Sequence, residues 1–272
     1  MITRLFALAL ITFREGIRNR SVFGIVIFSL FFFGLNIAVA GFFMRDIDKV
    51  TVDMNLSALS LAGLLLVFFI GVNLMAKDID RKTIHLVLSK PISRVEYIWG
   101  KYLGLLLFIL VSMAVLMAFS CFTVWLLKVL YADYFLQFSW TIFFIAAFFV
   151  FLKIAVLGAV VVFFSSITTN SFITLIFSLC VFIVGATIEE VVFYLRSAFA
   201  AKEMAFSVPL SNFIEVVSYL VPNLATFDFK TEAAHGLSLG WERLGVSFGY
   251  GTIYIVVLLL FASAIFRRRE FN

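Results

Sequence analysis

Six apolar runs, each near the length a helix needs to cross a bilayer, constrain this chain more than any other feature in it. A hydrocarbon core of about 30 Å takes roughly 20 helical residues at 1.5 Å of rise each. Residues 22–44, 54–76 and 102–127 supply three such runs without a charge. Residues 134–164 form a longer run broken only by Lys153, and residues 244–266 form another. The run at 171–188 is shorter and can continue past Glu189 and Glu190. The expected fold is therefore all-α, a polytopic membrane protein with six transmembrane helices. Composition agrees: of 272 residues 64% are hydrophobic and 14% charged, against about 45–50% and about 25% in soluble domains. The 36 phenylalanines suit helix surfaces that meet lipid.

The polar segments between the runs orient the chain. With six crossings, both termini share a side with the loops after the second and fourth runs. That side holds thirteen lysines and arginines against five acids, and the opposite side seven against eleven. The basic side is the expected cytoplasmic one. The net charge of +5 then reflects orientation and anionic membrane lipids, and no nucleic acid is expected as a partner. At the N-terminus, Arg4 precedes an apolar run at residues 5–13, no small-residue cleavage site follows it, and Ile2, Leu5, Phe6 and Ala9 recur at helical spacing. Residues 1–21 read as an uncleaved amphipathic helix lying at the interface. No linker or repeat divides the chain, so residues 1–272 read as one membrane domain.

Two polar stretches are long enough to matter. In the external one, residues 191–243, Phe206, Leu210, Phe213, Val217, Leu220 and Val221 form an apolar helical stripe, punctuated by Pro209 and Pro222. Short external helices before the sixth span are expected, lying at the interface or tucked back into the membrane. A lid on the outer helix ends and an outer gate fit this pattern equally.

Chemistry is sparse. The sequence has no phosphate-binding G-x-x-x-x-G-K-[ST] loop, no G-x-S-x-G, no H-E-x-x-H and no C-x-x-C. Cys121 and Cys180 sit in apolar runs, and His85 and His235 are 150 residues apart, so no catalytic or metal site is expected. The Glu189–Glu190 pair invites comparison with glutamate-class intramembrane proteases, but those carry an arginine four residues after the second glutamate. Arg196 follows by six, roughly 120° away around a helix. Lys153 is a possible intramembrane polar site. A cation at the bilayer centre costs roughly 2.5–3.5 kcal/mol on insertion scales, so it should face protein or water. It is either a translocation-path or coupling residue, or a polar contact within the bundle or near the end of a shifted span. Asn36, Asn55 and Asn73 suit interhelical hydrogen bonds, and Gly245 with Gly249 gives a small-xxx-small packing signal.

The other polar stretch, the cytoplasmic connector at residues 77–101, is the most specific. Asp78 and Asp80 suit the first turn of a short helix and Lys90 its end. Pro91 stops that helix. Ser93 can then cap a second helix, with Glu96 completing a capping box. The product is a stiff elbow between the second and third spans, suited to docking a soluble partner, or else a solvated loop with ordinary caps.

Asp78, Asp80, Arg81, Thr83, Ile84, Leu88, Lys90, Pro91 and Arg94, followed by Gly100, Lys101 and Gly104, closely resemble the connector of the ABC-2 family of ABC transporter permeases. The ending Phe266-Arg267-Arg268-Arg269-Glu270 is similar to that family's C-terminus. The resemblance implies a permease subunit, in the cell membrane of a prokaryote, paired with a separate ABC ATP-binding subunit and with a second permease copy or homologous permease. ATP and Mg would be bound by the partner, with no cofactor and no enzyme site in this chain. Transport would often be export, driven through the connector as a coupling helix. The rival reading is a non-transporting anchor or mechanotransmitter that recruits an ATPase and acts on an external partner. The scarcity of charge in the spans leans toward larger or amphiphilic cargo.

Overall fold

A computed structural model describes residues 2–42, 46–74, 92–135, 138–195 and 208–269 of the chain. Every regular element among them is helical, and six helices are long and apolar enough to span a membrane. A short helix α1 (Ile2–Ile17) precedes α2 (Arg20–Ala40), the first span. The second, α3, covers Ile47–Leu74 and passes through one π-helical turn at Val67–Gly71. Then come α4 (Arg94–Leu130), α5 (Trp140–Ile167) and α6 (Ser171–Leu195). Two shorter helices, α7 (Val208–Leu220) and α8 (Lys230–His235), lead into the last span, α9 (Trp241–Arg268). Successive spans run in opposite directions, so one end of the bundle carries both termini; the other is called here the far end.

The helix limits differ from the apolar runs in an instructive way. The second span starts at Ile47 rather than 54, because Asp48, Lys49 and Asp53 need only one watered face to be helical. The fifth runs through Glu189 and Glu190 to Leu195. The third begins at Arg94, where the Ser93 side chain accepts the Glu96 N–H and Glu96 accepts the Ser93 N–H, the expected capping box. Its 37 residues give a rod of about 55 Å at 1.5 Å per residue, well beyond the hydrocarbon.

The core lies around α5 and α3, whose apolar windows are 78% and 67% buried, against 22% for α2, α6 and α9. Small residues on α5 (Ala146, Ala155, Gly158, Ala159) admit close neighbours there. The peripheral helices turn Phe23, Phe31, Phe172, Ile253 and Phe261 outward, a surface that only lipid or another apolar partner suits. Buried amides stitch the bundle: Asn36 Nδ2 donates to the Thr51 carbonyl at 3.1 Å, and Ser120 Oγ donates to Asn55 Oδ1 at 3.0 Å. Asn73 instead donates to Phe69 O within its own helix.

Helix α1 is keyed to α4. A Cβ on Gly100 would lie 2.7 Å from Leu8, one on Gly104 2.6 Å from the Ala9 carbonyl, and one on Gly16 2.8 Å from the Phe108 ring. The protein-facing strip is thus Leu8, Ala9, Thr12 and Gly16, with Phe6, Leu10 and Ile11 exposed on other faces. By contrast, a Cβ on Gly245 or Gly249 would meet nothing within 4 Å. The glycine pair that packs is the one at the start of the third span, not the one in the sixth.

At the far end, Pro209 falls in the first turn of α7, where its missing N–H costs nothing, and Pro222 follows the helix. Within the expected stripe, Leu220 is 76% exposed, and Phe206 lies outside the described residues. What anchors this stretch comes later. Leu224, Phe227, Phe229 and Ala233 are all but fully buried, inserted among α3, α5, α6 and α9. Gly236, at φ 61°, ends α8 in the left-handed conformation that glycine adopts without strain.

Candidate functional site

At the termini end, one short stretch of α4 touches the end of α9, the second span α3 and the short helix α1. The capping box fixes where α4 begins, so Arg94, Tyr97 and Lys101 follow at i, i+3 and i+7 on one face. Arg94 Nη1 donates to the carbonyls of Phe266, Arg267 and Arg269 at 3.3, 3.1 and 2.6 Å, closing the C-terminal end of α9. Tyr97 stacks on Phe266 with ring centroids 5.5 Å apart. Lys101, only 5% exposed, donates to the carbonyl of Leu74 on α3 at 2.8 Å, and its ammonium lies 3.6 Å from Glu15 of α1.

A second arginine extends the set. Arg269 donates from Nη1 to Ser166 O at 2.9 Å and from Nη2 to Thr168 O at 2.8 Å, closing the end of α5. Partial burial lowers its pKa from the ordinary guanidinium value, yet an arginine stays charged at physiological pH. Two arginines thus sit on the last carbonyls of α9 and α5, where both unfilled acceptors and the negative end of the helix dipole favour them. The start of α4 is thereby tied directly to the end of α9, to α3 and to α1, and through the Arg269 segment to the end of α5.

Of the connector residues singled out from sequence, Asp78, Asp80, Arg81, Thr83, Ile84, Leu88, Lys90 and Pro91 lie outside the described residues. Arg94 is described and sits at the centre of this junction. Sequence reasoning placed Gly100, Lys101 and Gly104 in a family motif without a physical task. They are the docking face for α1 and the tie to α3 through the Leu74 carbonyl, and the Gly-xxx-Gly spacing was the available signal. The role of Arg269 had no local signal, since its acceptors lie about a hundred residues away in sequence. Beside the junction, a cleft of about 720 Å³ is lined by Arg14, Glu15, Arg18, Asn19 and Arg20 together with Asn73 and Leu74.

Lys153 lies apart from this junction, about 20 Å along α5 from Trp140 at 1.5 Å per residue. The charged groups that act on it are Asp228 and Lys230, carried in by the far-end stretch. Lys230 Nζ is 3.4 Å from Asp228 Oδ2 and 3.5 Å from Ser57 Oγ of α3. The stretch itself is riveted. Leu224 N donates to Gly185 O at 2.8 Å, Asn223 Nδ2 to Glu189 at 3.1 Å, Asn223 N to the Tyr250 hydroxyl at 2.9 Å, and Ser247 Oγ to Thr226 O at 3.2 Å. The Phe229 ring packs tilted against Phe149 with centroids 4.6 Å apart, while the Arg243 guanidinium lies 4.8 Å from the centre of the Phe229 ring and pairs with Glu232. Glu189 is thereby a structural acceptor.

No curated protein matches the chain. Residues 6–271 match the family model described as ABC-2 family transporter protein. With six spanning helices and a match over nearly its whole length, the chain belongs to the ABC-2 family of transporter membrane proteins, as a permease.

Proposed function

We propose that this permease is driven by a separate ATP-binding subunit, two copies of each forming the working unit, and that it exports its cargo. The termini end, rich in arginine and lysine, faces the cytoplasm. Force enters through residues 77–101, and the cation-to-carbonyl junction that begins at Arg94 spreads it to α3, α5 and α9. The single observation that supports this is the Arg94 guanidinium on the last carbonyls of α9. It makes the point where the connector rejoins the bundle mechanically continuous with the last span. ATP and Mg belong to the partner, because this sequence offers no phosphate loop.

The test is coupled transport in proteoliposomes holding the permease and its ATP-binding subunit. Replacing Arg81, Pro91 or Arg94 should leave insertion and ATP hydrolysis in place and sever hydrolysis from transport. Full coupled transport by all three variants would remove the connector from the mechanism.

A second reading has one observation in its favour. On α7, Val216, Tyr219 and Leu220 are 63%, 78% and 76% exposed, an apolar patch at the far end suited to an external protein. In that case the chain transmits motion to this partner rather than moving cargo. ATPase stimulation by a small amphiphile favours transport; stimulation only by an external protein favours transmission.

A further inference from the structure

The cleft beside the junction carries an excess of positive charge. Its volume, about 720 Å³, is in the range of small-ligand sites. Arg14, Arg18 and Arg20 line it against one acid, Glu15, whose carboxylate already has Lys101 at 3.6 Å. No ion pair among the described residues joins any of the three arginines to an acid. An arginine cannot relieve the imbalance by giving up its proton. Arg14 and Arg18 are four residues apart where α1 ends, and like charges at that spacing repel. The negative end of the α1 dipole offsets part of this. Arg20 has no such compensation: it opens α2, at the positive end of the helix dipole, and that helix has no acid in its first turn. An oxyanion in the cleft would therefore meet guanidinium groups from both helices.

The surface leading away from the cleft says what carries that anion. Arg20, Phe23, Ile27 and Phe31 recur at i, i+3, i+7 and i+11 on one face of α2, and all four are exposed. From Arg20 to Phe31 this stripe is about 16 Å long at 1.5 Å per residue. That is close to half of a hydrocarbon core of about 30 Å. An acyl chain that starts at the cleft thus has apolar side chains to lie on through one leaflet. Ile11 and Leu74 give the cleft itself an apolar margin, from which a bare phosphate would gain nothing.

We infer that this cleft seats the phosphate of an anionic phospholipid from the leaflet on the termini side, with an acyl chain along Phe23, Ile27 and Phe31. A lipid so held touches α1, α2 and α3 together. Through Glu15 and Leu74 it lies against the two groups that Lys101 holds. The seat does not depend on how the permease is driven.

The experiment is calorimetric titration of the purified full-length chain, in a neutral maltoside detergent, with dioctanoyl phosphatidylglycerol. Dioctanoyl phosphatidylcholine and glycerol phosphate are titrated in parallel, the first lacking net charge and the second lacking acyl chains. Phosphatidylglycerol should bind a saturable site at least tenfold more tightly than either. Arg14→Gln combined with Arg20→Gln should weaken it at least tenfold. Arg267→Gln combined with Arg268→Gln, an equal loss of charge at the same end of the bundle, should leave it within about threefold. Phe23→Ser should weaken it about threefold by shortening the apolar stripe. Thermal unfolding without added lipid guards against loss of fold. There Arg20→Gln should be no less stable than the parent, because it removes a cation from the positive end of α2. Undiminished binding by the first double variant, or equal weakening by both, overturns the site, the second result reducing it to general surface charge. Equal affinity for glycerol phosphate, or no effect of Phe23→Ser, overturns the lipid as its ligand. Equal affinity for phosphatidylcholine overturns the requirement for an anion.

Discussion

The two ends of the bundle solve the same problem, holding helix ends together, with different chemistry. At the termini end, cations on one helix start and one tail reach the Leu74 carbonyl of α3 and carbonyls at the ends of α5 and α9. At the far end, a re-entrant stretch is driven in by buried aromatics and held by hydrogen bonds to Gly185, Glu189 and Tyr250. Charge-assisted bonds to helix ends are directional and radiate from one place, which suits passing on a tilt. Apolar anchors spread over four helices resist movement in every direction, which suits a fixed wall. This weighs toward a lid and against a swinging gate for residues 222–236.

The comparison can be broken most sharply at Phe229. Truncating it to alanine should cost about 3 kcal/mol, the low end for a buried phenylalanine because the unfolded reference is itself in hydrocarbon. Denaturation in detergent would read this, and transport coupling should fall only in step with stability. If coupling fell while stability held, the far-end stretch would be a moving part. Next is Gly104→Leu, which collides with the Ala9 carbonyl and Thr12 and should cost about 1–3 kcal/mol by overpacking. Protease access to α1 should rise in the same variant.

Arg94→Ala should do the reverse of Phe229→Ala. Transport per ATP hydrolysed should fall about tenfold, equivalent to about 1.4 kcal/mol, with little change in unfolding because the freed carbonyls at the end of α9 can take water. Asn223→Ala removes the contact to Glu189 and should cost about 1 kcal/mol, the ordinary net value of a hydrogen bond. The smallest effect belongs to Gly245→Ala. With nothing within 4 Å, the isolated chain should change by less than about 0.5 kcal/mol. A clear loss of self-association in that variant would place a second copy against α9.

Much of this was legible beforehand. Ser93 and Glu96 announce a helix start because a capping box needs only four consecutive residues. The apolar runs announce spans because lipid demands a stretch of fixed length whatever surrounds it. Lys153 announced itself by its rarity. What stayed hidden had partners far away in the chain: Arg269 on Ser166, Lys230 on Ser57, and Leu8 over Gly100. The two glycine pairs make the point plainly. Both show the same spacing, yet only Gly100 and Gly104 have a helix packed on them.

The sequence by itself therefore determined the solvent, the number of crossings and the capped start of the third span, since each depends on residues within one turn or one span. Only the tertiary structure decided which helices are central, which cations close which helix ends, and that the stretch before the last span dives back among α3, α5, α6 and α9. Those outcomes depend on which surfaces meet, and a spacing of three or four residues describes a surface without naming its partner.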